Sequence, residues 1–348
     1  VLVSRSSFTH DVLIIGQGLA GVVLSETLNA RGLRVMVFDA PLEGRASAVA
    51  AGMVNPLVFR RTLLSWRASE MLAIAGAFYR DLQLEYEASL WHPLPLIELF
   101  PTAQEAGIWQ LRMKDPEMER FLGLGTSTDP AIQAMPQPYG HGEVKRCAWL
   151  DVRAMLVIHR KRALASGSLA ETKVEEGDIV RSPDGVEVHG RSAPLLVHCA
   201  GPFSNGTGLV PVRGEGLTVH IPGLNLTSML HRGVFVIPIG NDLYRVGSTF
   251  AWDDVWSGAT AEARRWLLQQ LERSIPHQVE VIDQWVGVRP ASRDRRPILG
   301  RIGLHEAVFN GLGSRGVLLA PWSAQHLADH LLKGTPLDPE VDPARFST

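Results

Sequence analysis

Cysteine is nearly missing: the 348 residues include only Cys147 and Cys199. Two thiols cannot build a disulfide framework or a cysteine-ligated metal centre. A charge excess is missing as well. The 34 basic residues stand against 36 acidic ones, for a formal net charge of −2. That balance gives no general reason to expect nucleic acid or an anionic membrane as partner. No apolar run approaches the roughly 18–20 residues that span a bilayer. Residues 1–11 lack the apolar core of a secretion signal. These absences predict a soluble, cytoplasmic protein with no membrane partner. His326 and His330 stand four apart, a spacing that can ligate zinc, but Leu327 occupies the place of a metalloprotease acid. No metal is expected. No Gly-x-Ser-x-Gly elbow or Cys/His pairing argues for hydrolysis.

What is present is a phosphate-binding pattern. At roughly 150 residues per domain the length suggests about two domains, and 45% hydrophobic residues can fill their cores. Residues 11–15 form a continuous apolar run, as a strand buried on both faces requires. The run leads into Gly16-Gln17-Gly18-Leu19-Ala20-Gly21, a predicted helix over residues 19–30, and a second buried strand that ends in Asp39. Gly16 permits the tight turn, Gly18 lets the backbone approach a pyrophosphate, and Gly21 allows helix to pack closely on strand. The helix N-terminus, at Leu19 and Ala20, offers N–H donors to phosphate. Asp39 is placed to accept ribose hydroxyls and would repel a 2′-phosphate. Strand, glycines, helix, strand and acid in register predict a dinucleotide site, with FAD and NAD both open at this point.

Four further segments narrow the choice. They are Ser47-Ala-Val-Ala-Ala51-Gly52-Met53, the buried run ending Cys199-Ala200-Gly201, Gly287-Val-Arg289-Pro290 continuing to Ser292-Arg-Asp294, and Gly311-Leu-Gly313-Ser314-Arg315-Gly316. In this order, over residues 11–332, the chain resembles the FAD-dependent D-amino acid oxidase superfamily, which includes glycine and sarcosine oxidases. The closing segments are especially similar to the oxidase half of the bifunctional enzyme that makes 5-methylaminomethyl-2-thiouridine in tRNA. Nothing in these residues matches that enzyme's methyltransferase half.

The resemblance implies an α/β fold: a Rossmann-like, glutathione-reductase-like FAD-binding domain interleaved with an antiparallel-sheet α+β substrate domain. Residues 1–65, 145–205 and 285–348 would bind FAD, non-covalently, and residues 66–144 and 206–284 would form the substrate domain. Ala46, Ser47, Ala51, Gly52 and Met53 would line the flavin, and Ala200 and Gly201 would pass its phosphate and ribose. Val174, on a strand expected near 171–175, would meet the adenine. Gly311, Gly313, Ser314, Arg315 and Gly316 would lie beneath the isoalloxazine, where a helix N-terminus favours charge on the reduced ring.

Arg289 would hold a substrate carboxylate, since a planar guanidinium meets both oxygens, and would also belong to the cofactor site. The bland alternative pairs it with Asp294. Glycine oxidase has a carboxylate-binding Tyr where this chain has Phe235, and Tyr244 on the next strand is the candidate replacement. The implied activity is oxidation of a C–N bond of an amine or amino acid. Hydride passes to flavin N5, the imine then hydrolyses, and oxygen or another acceptor takes the electrons. A tRNA-modifying oxidase and a flavin-binding protein without turnover are the alternatives, and no catalytic acid or base is evident.

Overall fold

The computed structural model describes residues 8–127, 129–206 and 208–347. They divide into two compact units, each assembled from separated stretches of chain. The first takes residues 8–48, 152–212 and 288–347, and the second takes Val49–Asp151 and Arg213–Gly287.

In the first unit, β1 (Val12–Ile15) leads to α1 (Leu19–Asn29) and β2 (Val35–Asp39). Gly32, at φ +75°, lies in the turn between α1 and β2. Next come α2 (Val152–Ala165), β3 (Leu169–Glu171), β4 (Leu196–His198), β5 (Ile298–Arg301), β6 (Glu306–Asn310) and α3 (Gly316–Lys333). The sheet order is β3-β2-β1-β4-β6-β5. All neighbours are parallel except the β5–β6 edge. Leu13 pairs with Met36 on one side and Leu196 on the other, so β1 is fully enclosed. That enclosure is why the run reads as continuously apolar rather than alternating.

The second unit is built on an eight-stranded sheet. Its order is Glu280–Ser292, Leu209–His220, Leu243–Gly247, Val234–Gly240, Met229–Arg232, Leu96–Leu99, His141–Val144 and Leu122–Leu124. The sheet is mixed rather than purely antiparallel, because Met229–Arg232 runs parallel to Leu96–Leu99. One face packs on the helix Ala261–Glu272, which starts with the Thr260 hydroxyl accepting from Ala263 N–H. Leu267 and Leu271 fill that layer with Val234, Val236 and Val246. Among the described residues no helix is long and apolar enough to cross a membrane.

Three local expectations change. Residues 49–65 and 145–151 belong to the second unit, because Met53–Val54 pairs with Ala148–Leu150, which pairs with Trp91–Pro93. The sequence alone suggests a helix over residues 63–81; the helix begins at Ala68, and Leu63–Leu64 pairs instead with Leu57–Val58. The strand expected around 171–175 ends at Glu171, so Val174 lies in an irregular stretch and packs against the core beside β2.

Candidate functional site

The glycines of the first turn are dictated by backbone contact. Gly16 has φ +102°, and a Cβ there would stand 2.5 Å from the Cys199 carbonyl oxygen. A Cβ on Gly21 would lie 1.8 Å from the Gly16 carbonyl oxygen. Neither neighbour can move without undoing the strand-to-helix turn. Gly18 is the N-cap of α1 and has no capping side chain of its own. Ser47 supplies one from elsewhere: its hydroxyl accepts from Leu19 N–H at 3.0 Å. Ala46 and Ser47 sit in the short helix Ala46–Val49. A bare glycine turn beneath a helix N-terminus, bordered by a hydroxyl, fits the diphosphate of a dinucleotide.

Asp39, 6% exposed at the end of β2, is held more tightly than its expected role suggests. One oxygen accepts from Gln17 N–H at 2.9 Å, and the other accepts from Arg45 and Arg160, both at 3.0 Å. Three of a carboxylate's roughly four acceptor positions are thereby used. The two guanidinium groups also compensate its charge, so Asp39 alone does not set a negative potential here. Gln17 continues the network. Its side chain donates to His159 Nδ1 at 2.8 Å and accepts from Arg160 at 2.9 Å. Burial pushes the His159 pKa down to about 4.

The other first-unit candidates lie on adjacent segments. Gly201, at φ +56°, follows β4, and its carbonyl accepts from Asn310 at the end of β6. Ala291 bridges Leu312, bringing the stretch that carries Arg289 beside Gly311, Gly313, Ser314, Arg315 and Gly316. Gly313 has φ +54°. A Cβ on Gly311 would meet Ile298, and one on Gly316 would meet Leu19 of α1. Burial lowers the pKa of Arg289 to about 10, although part of its side chain stays accessible. Arg315 is also lowered to about 10, first by burial and then by the Arg295 charge. Asp294 has partners of its own. Arg345 binds it at 2.8 Å, and Ser292 donates to it at 3.1 Å.

In the second unit, Ala51, Gly52 and Met53 run beside Ala148–Leu150. A Cβ on Gly52 would lie 1.9 Å from the Leu150 carbonyl oxygen, so the glycine is required by the fold itself. Ala51 and Met53 pack with Phe59, Trp149, Phe235 and Ile237 in one apolar cluster. Phe235 reaches Gly247 on the next strand. Tyr244 is on the opposite side, 3% exposed in the helix-facing layer, where its hydroxyl accepts from Leu226 N–H at 3.4 Å. It therefore does not share a face with Phe235, because side chains alternate along a strand. Arg245 does share that face. Its guanidinium donates to the Ala50 carbonyl and lies 5.9 Å from the Trp285 ring centroid. Counting alternation from Phe235 through the hairpin would have pointed to it.

A sequence model of the DAO family, described as FAD-dependent oxidoreductase, matches residues 11–330. The chain belongs to this family. Its cofactor is FAD, and it is an oxidoreductase. It is 27% identical over 366 residues to the tRNA 5-methylaminomethyl-2-thiouridine biosynthesis bifunctional protein MnmC of Caulobacter sp., covering 96% of this chain and 57% of that protein. The corresponding protein of Marinobacter nauticus is 24% identical over 353 residues, covering 93% of this chain and 56% of that one. The chain thus spans a little over half the length of these relatives. Among solved structures, iminodiacetate oxidase from Chelativorans sp. has a TM-score of 0.80 at 22% identity, covering 96% of this chain and 98% of that one. Glycine oxidase from Geobacillus kaustophilus has a TM-score of 0.78 at 21% identity, covering 98% of each chain. These structural likenesses establish the α/β fold with its Rossmann-like FAD-binding part.

Proposed function

We propose that the chain oxidises a C–N bond of an amine or amino acid that carries a carboxylate, giving an imine that water hydrolyses. The observation that carries this reading is the pair Arg289 and Arg315, two cations on adjoining segments that burial has drawn down to about 10. A planar guanidinium meets both oxygens of a carboxylate at once. Arg289 holds the substrate carboxylate and so orients the α-carbon. Gly16, Gly18, Gly21 and Ser47 receive the FAD diphosphate, and the start of α3 faces the flavin's pyrimidine edge. When bound, FAD would supply the acceptor for the hydride, which carries both electrons. The chain contributes binding and alignment. Cys147 and Cys199 are both buried, and burial pushes their thiols up, which agrees with a non-covalent flavin.

Anaerobic spectra before and after addition of amino acids and N-alkyl glycines test the reading, with at least one compound expected to bleach the flavin. Replacing Arg289 with Ala should then raise KM for that compound about 100-fold, equivalent to about 3 kcal/mol. An unchanged KM removes the anchor. The curated relatives favour a second reading, oxidation of an amine on a tRNA wobble uridine. Salt-sensitive retention of tRNA on filters, with no small amine bleaching the flavin, would shift the assignment to it. A bound flavin that neither substrate class reduces would point to a role without turnover.

A further inference from the structure

The second unit holds an open cavity that is lined by none of the residues assigned above to the flavin or the carboxylate. It measures about 470 Å³, within the roughly 300–1,000 Å³ of small-molecule sites, and every lining residue belongs to this unit. One wall comes from the three-stranded sheet of Met53–Val54, Ala148–Leu150 and Trp91–Pro93. Trp149 stands directly opposite His92, and the two rings stack with centroids 4.3 Å apart at 16°. Directly opposed residues share a face, so the strand register sets this stack. Leu94 continues the wall. Pro238 and Ile239, near the end of Val234–Gly240, line another part. There Pro238 faces Tyr244 and Gly240 faces Leu243, which leaves Ile239 as the extra residue of a bulge. A bulge re-aims a side chain. Ile239 packs with Leu94 and Trp149 on one apolar cluster.

Among the described residues no Asp, Glu, Lys or Arg lines the cavity. Burial lowers the His92 pKa, against the Asp151 charge and a hydrogen bond with the Ser89 backbone, so the ring is uncharged at pH 7. Thr227 is an exposed polar residue of the lining. Its N–H and its hydroxyl both donate to Asp129, at 3.0 and 2.6 Å. The hydroxyl has thereby spent its proton and keeps its lone pairs as acceptors. A charged ligand would lose hydration here with no opposite charge to compensate it. An aliphatic ligand would gain from buried area alone, whereas a flat ring also gains from indole and imidazole. An acceptor at the edge adds a preference for a ring that carries an N–H.

We propose that this cavity binds a small, uncharged, planar heteroaromatic molecule, packed on the His92–Trp149 stack and donating its ring N–H to the Thr227 hydroxyl. Leu94, Pro238 and Ile239 supply the apolar remainder of the site. The stacked rings and the fixed proline backbone hold its shape before the ligand arrives, so little ordering entropy opposes binding. The inference does not depend on the amine oxidation proposed above, and binding is read without turnover.

Equilibrium dialysis of the full FAD-loaded chain against indole tests this. Indole should bind, and cyclohexanol, which offers a donor but no flat ring, should bind about tenfold more weakly. 1-Methylindole lacks the N–H and should bind about fivefold more weakly than indole. Thr227→Val should bring indole down to the level of 1-methylindole and leave 1-methylindole unchanged. Trp149→Leu keeps an apolar side chain but removes the flat wall, so both indoles should lose about tenfold in affinity. Flavin absorbance per chain, retained in each variant, reports that it has folded. Thr227 is exposed, so its variant decides the question even where Trp149→Leu does not fold. The proposal is overturned by a wild-type chain that does not bind indole or binds cyclohexanol as tightly. Indole affinity unchanged in Thr227→Val, or in a folded Trp149→Leu, overturns it as well, because the indole would then be held elsewhere.

Discussion

Asp39 and Glu98 are both carboxylates withdrawn from water, but their surroundings differ in kind. Asp39 accepts from three donors on three segments, the Gln17 amide, Arg45 and Arg160. Glu98 has one side-chain partner, His231, whose other nitrogen has no hydrogen-bond partner among the described residues. Elsewhere in the second unit Glu215 resembles Asp39: it is 1% exposed and accepts from Thr260 N–H, the Thr260 hydroxyl and Gln284. Saturated carboxylates of this type fix backbone segments against each other. Counting satisfied acceptors therefore separates the two kinds of carboxylate better than burial does.

The sharpest way to test the scaffold side is Gly21→Ala. Its Cβ would arrive 1.8 Å from the Gly16 carbonyl oxygen, where only backbone could yield. The turn that receives the diphosphate should open. We expect almost no flavin absorbance per purified chain, and a fold weakened by about 3 kcal/mol. Full flavin content would show that the turn tolerates the methyl group and that the cradle lies elsewhere.

Acid probes the same network more gently. His159 has a folded pKa near 4 against about 6.5 in the unfolded chain, because burial disfavours its charged form. Between those values the unfolded chain binds the proton more readily. Stability is therefore complete above pH 6.5, declines as pH falls toward 4, and loses about 3 kcal/mol from this group by the lower limit. Denaturant titrations across that range should show the slope, and His159→Gln should flatten it. Because His159 accepts from Gln17, which donates its backbone N–H to Asp39, flavin retention should weaken over the same range.

What could be read in the sequence divides along the same line. The glycine turn was legible because Gly16 and Gly21 each answer to a backbone atom within a few residues or on the adjoining strand, and that constraint leaves a fixed spacing. The boundary near residue 49 was not legible. It depends on Met53–Val54 finding Ala148–Leu150 nearly a hundred residues away. Arg160 was missed for the same reason, and Arg45, although close in sequence, carries no local signature that points to Asp39. The His231–Glu98 pair joins positions 133 residues apart across a parallel pairing that nothing in the local pattern announces.

Tyr244 gives the finest test of the contrast, because the sequence made it the candidate where the structure points to its neighbours. Its register partner Pro238 and the strand alternation place it in the helix-facing layer with Leu267 and Leu271. Its hydroxyl makes one long bond, 3.4 Å to Leu226 N–H, and burial raises its pKa. Tyr244→Phe removes that bond and leaves the packing ring, so the expected cost is about 1 kcal/mol of stability. Because the hydroxyl lies behind the sheet, kcat and KM for the bleaching amine should change less than about twofold, within the range of a substitution that touches no reacting group. A tenfold rise in KM would mean that the hydroxyl reaches the carboxylate after all. The alternation argument would then fail for Arg245 along with Tyr244, since the same register assigns both to their faces.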